Sequence, residues 1–151
     1  MEGKIFFSVL AKRVTSYMTE NGYVDSSLWY PLSSGCQENI GALSQMIQQA
    51  KASKNNLTVI WLDLANAYGA IPHTLIYIAL DPYHIPLHIK GIITSYLSGI
   101  QLQFKTAHFR TWWQNLEKGL VTTCTISPIL FDMGMNRLIT VGEKPIMKSG
   151  I

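Results

Sequence analysis

Residues 61 to 73 read "WLDLANAYGAIPH": an apolar run ends at a carboxylate, Asp63, and an aromatic residue follows five positions later. The stretch from 57 to 64, "LTVIWLDL", is apolar on both faces and rich in β-branched residues, which predicts a strand buried on both sides. Asp63 would then lie at the carboxyl end of a central strand, where ligand sites commonly form. Because a buried charge is costly unless it is paired, Asp63 needs either a hydrogen-bonding partner or a cation.

Two helices are predicted before this strand. Apolar residues recur at helical spacing in the first of them, at Phe6, Leu10, Val14 and Tyr17, with Val9 and Met18 beside them, and Gly22 ends it. Ser34 and Gln37 fit a reciprocal cap for the second helix. Its apolar face is formed by Ile40, Leu43, Ile47 and Ala50.

The second half of the chain predicts short helices and a hairpin. Pro72 and Pro86 each mark the first turn of a helix. Residues 100 to 105 alternate in polarity and "HFRTWW", 108 to 113, forms the second arm, in which neighbouring tryptophans would face opposite sides so that one packs inward. Ser127 and Pro128 begin a last helix, which Gly134 weakens without breaking. This order of elements predicts the α+β class.

The composition limits the classes of protein that the chain fits. Of its 151 residues 48% are hydrophobic and only 14% are charged, which predicts apolar surface for a missing partner or missing chain. The net charge of +3 comes from scattered basic residues and does not by itself indicate a polyanion partner. Cys36 and Cys124 lack metal-ligand spacing and are expected to be reduced, buried thiols, and His73 and His84 are expected in a helix start and a turn rather than as metal ligands. No apolar run has the length of a membrane span or the form of a signal peptide, so we expect an intracellular protein without membrane contact.

The stretch "WLDLANAYGAIPH" and a second one, "KGLVTTCTISPILF" at 118 to 131, resemble motifs of the reverse transcriptases of LINE-type, non-LTR retrotransposons. In that family an apolar strand, an Asp, an Ala, an aromatic residue and "PH" form the first motif. A Gly, a Gln-Gly or Thr-Gly pair, a Cys and a Ser-Pro helix start form the second. The likeness covers nearly all of the chain, from Lys4 to Ile139. It implies a partial right-hand polymerase fold, a fingers and palm fragment with a short β-sheet packed against helices.

The resemblance also implies a chemistry. Polymerases of this kind hold two Mg²⁺ ions about 4 Å apart, on carboxylate and carbonyl oxygens. Asp63 would be the catalytic carboxylate and a metal ligand, and the backbone carbonyl of Leu64 would assist on the triphosphate side. Tyr68 would lie under the sugar of the incoming nucleotide, although packing in the core is its other reading. RNA template and DNA primer are the implied partners.

Two departures from the family weaken this expectation of activity. The family carries an Asp-Asp pair on a hairpin beyond the second motif, whereas none of the nine acidic residues here is adjacent to another. Thr123 stands where the family has a nucleotide-contacting Gly, and its side chain would crowd that approach. We therefore expect residues 1–151 to be a truncated reverse transcriptase domain without the Asp-Asp hairpin, thumb or endonuclease, inactive by itself and a doubtful binder of Mg²⁺.

Two other interpretations remain open from the sequence. The chain is either a non-catalytic nucleic-acid-binding or interaction module, or a remnant with no selected role. A binding module would use basic side chains on phosphates and the tryptophans of 112 and 113 on bases. The four basic residues proposed for phosphate contact are Arg13, Lys105, Arg110 and Lys118.

Overall fold

A computed structural model describes residues 2–23, 36–61 and 63–142 of the chain. The chain divides into two compact units, one formed by Met1–Lys12 together with Asn66–Ile151, the other by Arg13–Ala65. Within the described ranges the secondary structure is six helices and one two-stranded sheet. This mixed content is compatible with the predicted α+β class.

The two N-terminal helices are confirmed: α1 spans Glu2–Glu20 and α2 spans Cys36–Ser53. The buried side chains of α1 are Leu10, Ala11, Val14 and Met18. Phe6 and Val9 are exposed, so the buried stripe is rotated away from part of the predicted face. No side chain of α2 from residue 37 onward is fully buried, and the predicted cap at Ser34 lies outside the described residues.

Helix α1 ends at a glycine, as predicted. Gly22 has φ +67°, its amide donates to the carbonyl of Thr19 at 3.1 Å, and the amide of Tyr23 donates to the carbonyl of Met18 at 2.9 Å. This pair of bonds is a Schellman motif, in which a left-handed residue satisfies the last helical carbonyls.

The predicted buried strand at 57–64 is wrong. The described residues of this stretch have no regular secondary structure, and Leu57, Ile60, Trp61 and Leu64 are all exposed. A strand needs a neighbour to satisfy its backbone groups, and the sheet in the described part of the chain contains no strand that pairs here. The β-branched composition that favoured a strand is therefore insufficient without a pairing partner.

Three helices follow in the first unit: α3 at Ala67–Ala70, α4 at His73–Ala79 and α5 at Leu87–Gly99. Pro72 and Pro86 immediately precede α4 and α5, which confirms both predicted helix starts. The short helix α3 was not predicted; it begins after Asn66, whose backbone is left-handed at φ 49°. Ile76 and Ala79 of α4 and Ile93 of α5 are completely buried.

The hairpin is confirmed, with β1 at Gln101–Leu102 and β2 at Gln114–Asn115. Four cross-strand contacts fix its register: Gln101 with Asn115, Leu102 with Gln114, Phe104 with Thr111, and Lys105 with Arg110. Between the second and third contacts one arm has a single residue, Gln103, whereas the other has two, Trp112 and Trp113. The second arm therefore contains a β-bulge.

The bulge overturns the prediction that one of the two tryptophans packs inward. Trp112 is 87% exposed and Trp113 is 60% exposed. The prediction assumed strict alternation of side chains along the arm, and an extra residue breaks that alternation.

The last helix, α6, spans Ser127–Gly142 and runs through Gly134 without interruption, as predicted. It packs against α4 and buries Ile129, Leu130 and Met133. The hydroxyl of Ser127 donates to the carbonyl of Val121 at 2.7 Å, so this side chain holds the preceding loop instead of capping the helix.

A half-buried cysteine lies beside this helix start. The side chain of Tyr96 on α5 is hydrogen-bonded to Cys124, and burial together with this contact raises the pKa of Tyr96, while a hydrogen bond with Ser127 acts in the opposite direction. Cys124 is a free thiol and is half-buried, not buried as expected; the side chain of Cys36 lies outside the described residues.

Candidate functional site

The first motif and the second motif contact each other through their backbones. The amide of Gly119 donates to the carbonyl of Ile71 at 2.7 Å, and the amide of Leu120 donates to the carbonyl of Tyr68 at 2.8 Å. We call this contact between residues 66–73 and 118–131 the motif junction. Both stretches lie in the same compact unit, so the junction is a feature within one folded body.

The glycine at position 119 allows the backbones to approach this closely. Gly119 has φ +88°, and a Cβ at this position would lie 2.8 Å from the carbonyl oxygen of Gly69 and 2.9 Å from its Cα. Real Cβ atoms do not come this near to backbone, and a side chain is also disfavoured at this φ. The junction therefore requires glycine at position 119.

His73 adds a side-chain bond to the junction. Its Nε2 lies 2.8 Å from the carbonyl oxygen of Gly119, and its ring is buried. Since a carbonyl oxygen only accepts, Nε2 carries the proton and donates it in this bond. The "PH" of the first motif thus places a helix-starting histidine on the second motif, in agreement with its predicted place at a helix start.

Tyr68 lies against the second motif as well. Its ring stacks on Phe131 of α6, with centroids 4.5 Å apart and planes within 11° of parallel. The tyrosine is half-buried, so one ring face packs inside the unit while part of the side chain contacts solvent. The stack on Phe131 agrees with packing, the alternative considered for Tyr68, although the ring is not part of the buried core; contact with a nucleotide sugar stays a prediction.

Asp63 and Leu64 belong to the other unit, Arg13–Ala65. Both are exposed, in the stretch that forms no strand. The expected position of Asp63 at the end of a central strand is therefore wrong in its secondary structure, and its carboxylate lies in water rather than in a dry interior. We expected a partner for Asp63 because we expected its carboxylate to be buried. An exposed carboxylate is solvated by water and needs no such partner.

The donors for a pair of divalent cations are incomplete in the described residues. These residues contain no group of three or more His, Cys, Asp or Glu side chains that could hold a metal ion. Two Mg²⁺ ions at polymerase spacing need several carboxylate oxygens, and Asp63 offers one side chain. The described residues therefore do not fit the two-ion site that the resemblance implies.

Thr123 lies in the turn that precedes α6, where the amide of Cys124 donates to the carbonyl of Val121 at 3.0 Å. Thr123 is exposed, and it is not among the residues of positive φ. The backbone here therefore accommodates a side chain without strain. Whether this side chain crowds a nucleotide stays a prediction.

The four basic residues predicted to contact phosphates are all exposed. Arg13 belongs to the unit Arg13–Ala65, and the other three belong to the unit that contains the junction. Lys118 is opposite Pro72 in an isolated bridge at the junction, and Lys105 is directly opposite Arg110 in the hairpin. The structure thus brings together one pair of the four, Lys105 and Arg110.

Asp132 is a further titratable group near the junction. It follows Phe131 on α6, is half-buried, and its Oδ2 has no hydrogen-bonding partner among the described residues. Burial raises the pKa of Asp132 to about 6. The sequence pattern placed this residue inside the last helix, which is confirmed, but gave no indication of its burial.

The chain is similar in sequence to a polyprotein of a retrotransposable element. Over 135 residues, 89% of this chain, it is 24% identical to a retrovirus-related Pol polyprotein from type-1 retrotransposable element R2 of Nasonia vitripennis. The likeness supports a retrotransposon-related origin. The chain spans 13% of the length of that polyprotein. No protein-family model and no solved structure matches the chain.

None of the helices in the described part of the chain combines the length and the apolar character needed to cross a bilayer.

The sequence indicated some residues of the motif junction but not the contacts that form it. Gly119 and His73 were present in the two motifs, yet the close approach of Gly119 to Gly69 and the stack of Tyr68 on Phe131 were not predicted. A left-handed glycine next to a motif leaves a weak signal in one sequence, because the same residue type occurs in ordinary turns. The partner of such a glycine is set by tertiary structure alone.

Proposed function

We propose that the chain is the fingers and palm part of a retrotransposon reverse transcriptase that does not add nucleotides by itself. The observation that carries the proposal is the motif junction, because it joins residues 66–73 of the first stretch that resembles a family motif to the second such stretch, residues 118–131. Backbone bonds, the His73 bond and the ring stack of Tyr68 on Phe131 hold residues 66–73 and 118–131 together within one compact unit. The likeness to a retrotransposon Pol polyprotein supports the same origin.

In this proposal each site residue keeps the role that the resemblance implies. In the intact enzyme Asp63 and the Leu64 carbonyl would contribute oxygens toward Mg²⁺, Tyr68 would lie next to the sugar, and Thr123 would occupy the nucleotide-contacting turn. RNA template and DNA primer are the substrates of the intact enzyme.

The lack of activity follows from the carboxylates. Activation of a hydroxyl and stabilisation of a leaving group are two tasks, and each needs a cation fixed by negatively charged oxygens. No two acidic residues of the chain are adjacent, and Asp63 alone is a poor match for two hard cations. We therefore expect the chain to form the motif junction but not to catalyse nucleotide addition.

A primer-extension assay tests the proposal directly. The purified chain is incubated with a primed RNA template, deoxynucleotides and Mg²⁺, and we expect no incorporation above background. An active reverse transcriptase added to the same reaction serves as the control for substrate quality. Incorporation by the unmodified chain that is abolished in Asp63→Asn would contradict the proposed inactivity.

The coding DNA that follows the codon for Ile151 tests the assignment to a polymerase. We expect it to encode, in frame or after one frameshift, a short apolar strand with two adjacent aspartates. A following sequence without such a strand in any forward frame would contradict the polymerase assignment.

A further inference from the structure

The hairpin from Ile100 to Leu116 carries positive charge without any negative charge. It contains Lys105 and Arg110 and no Asp or Glu. The two cations are directly opposite each other across the hairpin. Like charges in such a position repel, so an anion bound between them relieves a cost that the hairpin otherwise bears.

The bulge adds exposed aromatic surface next to these charges. Trp112 is two residues from Arg110 along the same arm, and the register is regular up to Trp112 because the extra residue comes after it, so side-chain alternation places both residues on one face. The bulge places Trp113 beside Trp112 opposite the same residue, Gln103, and both indoles are exposed. The hairpin therefore presents large flat rings adjacent to a pair of cations.

We propose that this face of the hairpin, formed by Lys105, Arg110, Trp112 and Trp113, binds single-stranded nucleic acid. Bases stack on the indole rings, and the phosphates lie between the lysine and the arginine. Aromatic rings joined to a basic groove are the combination that single-strand binders use, and it tolerates any base because every base has a flat face. The proposal goes beyond the proposed function, because it needs neither the motif junction nor Asp63.

The charges favour this occupant over a second copy of the chain. Two hairpins that met face to face would bring four cations together with no carboxylate on either side, which is costly. A single strand offers phosphates and unstacked bases together. A duplex offers the phosphates, but its bases are stacked on one another and are not available to stack on the indole rings.

Fluorescence and anisotropy measurements on the full chain test this proposal. The probes are labelled oligo(dT) and oligo(U) of about 12 nucleotides, within the site sizes known for single-strand binders. Binding is measured in EDTA without nucleotides, so that the outcome is separate from any polymerase activity. We expect both strands to bind, with quenching of tryptophan fluorescence, and a blunt duplex of the same length to bind at least fivefold more weakly.

Substitutions on the two faces of the hairpin distinguish base stacking from nonspecific hydrophobic binding. Trp112→Ala and Trp113→Ala should each weaken binding roughly tenfold, whereas Trp112→Phe should retain most of it. Phe109→Ala is the matched control, because Phe109 is 60% exposed on the same hairpin and alternation directs it to the opposite face. We expect the control to change the affinity less than twofold.

The charged pair has its own readout. For two phosphate contacts on a single strand, the logarithm of the binding constant is expected to fall against the logarithm of the salt concentration with a slope of about −1.4. The double variant Lys105→Gln, Arg110→Gln should lose most of this salt dependence. Lys4→Gln with Lys12→Gln, two exposed lysines of α1, is the charge-matched control and should leave most of the slope unchanged. Circular dichroism and thermal melting of every variant verify that each one is folded.

Three outcomes would overturn the proposal. The first is no binding of either oligonucleotide at low salt. The second is equal binding by the tryptophan variants and the Phe109 control. The third is tighter binding of the chain to anionic lipid vesicles or to itself than to oligonucleotides, with the same tryptophans required.

Discussion

At the scale of single residues, the glycine at position 119 decides whether the two motifs can meet. It combines a left-handed backbone with a 2.8 Å approach of its would-be Cβ to the carbonyl oxygen of Gly69. Neither feature alone excludes a side chain as firmly as the two together. The junction therefore depends on the absence of one methyl group.

We expect Gly119→Ala to lower the free energy of unfolding by about 2 kcal/mol or more, because Ala is strained at positive φ and its methyl collides with fixed backbone. Gly91→Ala is the control: it lies in α5 with open space around it, and should raise stability by about 0.5 kcal/mol through helix propensity. Urea unfolding of both variants measures the difference. Equal stability of Gly119→Ala and the native chain would contradict the close approach.

Asp132 has a pH signature that can be measured. Its folded pKa is about 6 against an ordinary value of 3.8, so between these two pH values the folded chain holds a proton that the unfolded chain has released. Stability from this group is therefore highest below about pH 4, falls as pH rises through 6, and is constant above.

We expect Asp132→Asn to raise the free energy of unfolding at pH 7 by about 1 kcal/mol, a value reduced for the solvent that still reaches this side chain. Asp81→Asn is the control, since Asp81 is exposed and pairs with Lys90 at 2.7 Å; its removal should cost at most about 1 kcal/mol. Urea unfolding between pH 4 and pH 8 measures both. A variant whose advantage does not grow with pH would contradict the effect of burial.

At the scale of elements, the predictions that succeeded rest on local chemistry. Proline before α4 and α5, glycine after α1 and alternating polarity in the hairpin all act through neighbouring residues. The strand at 57–64 failed because a strand depends on distant partners. The tryptophan prediction failed because one extra residue in one arm changes which way every later side chain points.

The stretch at 57–64 gives the prediction at this scale. Without strand pairing, the amides of Val59, Ile60 and Trp61 should exchange with deuterium at rates close to those of an unstructured peptide. Ile93 and Leu97 on α5 are the reference, because both are completely buried on a helix and should exchange far more slowly. Exchange measured by NMR or mass spectrometry distinguishes them. Protection of Val59 and Ile60 equal to that of α5 would show that the stretch pairs after all.

At the scale of the whole molecule, the low charge predicted apolar surface, and the structure confirms the exposure. Large apolar side chains are exposed in both units, among them Phe6, Ile60, Trp61 and Leu87. A missing partner or missing chain as the reason for this exposure stays a prediction. Composition indicates how much apolar surface exists, because a chain with few charges cannot cover itself with them.

The candidate site was predicted less completely than the fold. Both stretches were selected from their residue types, and the structure joins 66–73 to 118–131. The contact depends on the approach of Gly119 to the backbone of residue 69, fifty positions earlier in the sequence, which spacing does not reveal. The burial of Asp132 likewise arises from packing around α6, and no local sequence pattern predicts it.

The bulge in the hairpin has an evolutionary consequence. Loss of one codon in phase, for either Trp112 or Trp113, would restore an uninterrupted ladder between Gln101 and Asn115 while leaving the turn and the flanking helices as they are. Gain of that codon would do the reverse. A lineage carrying this fold can therefore acquire or discard a paired indole platform in a single mutational step.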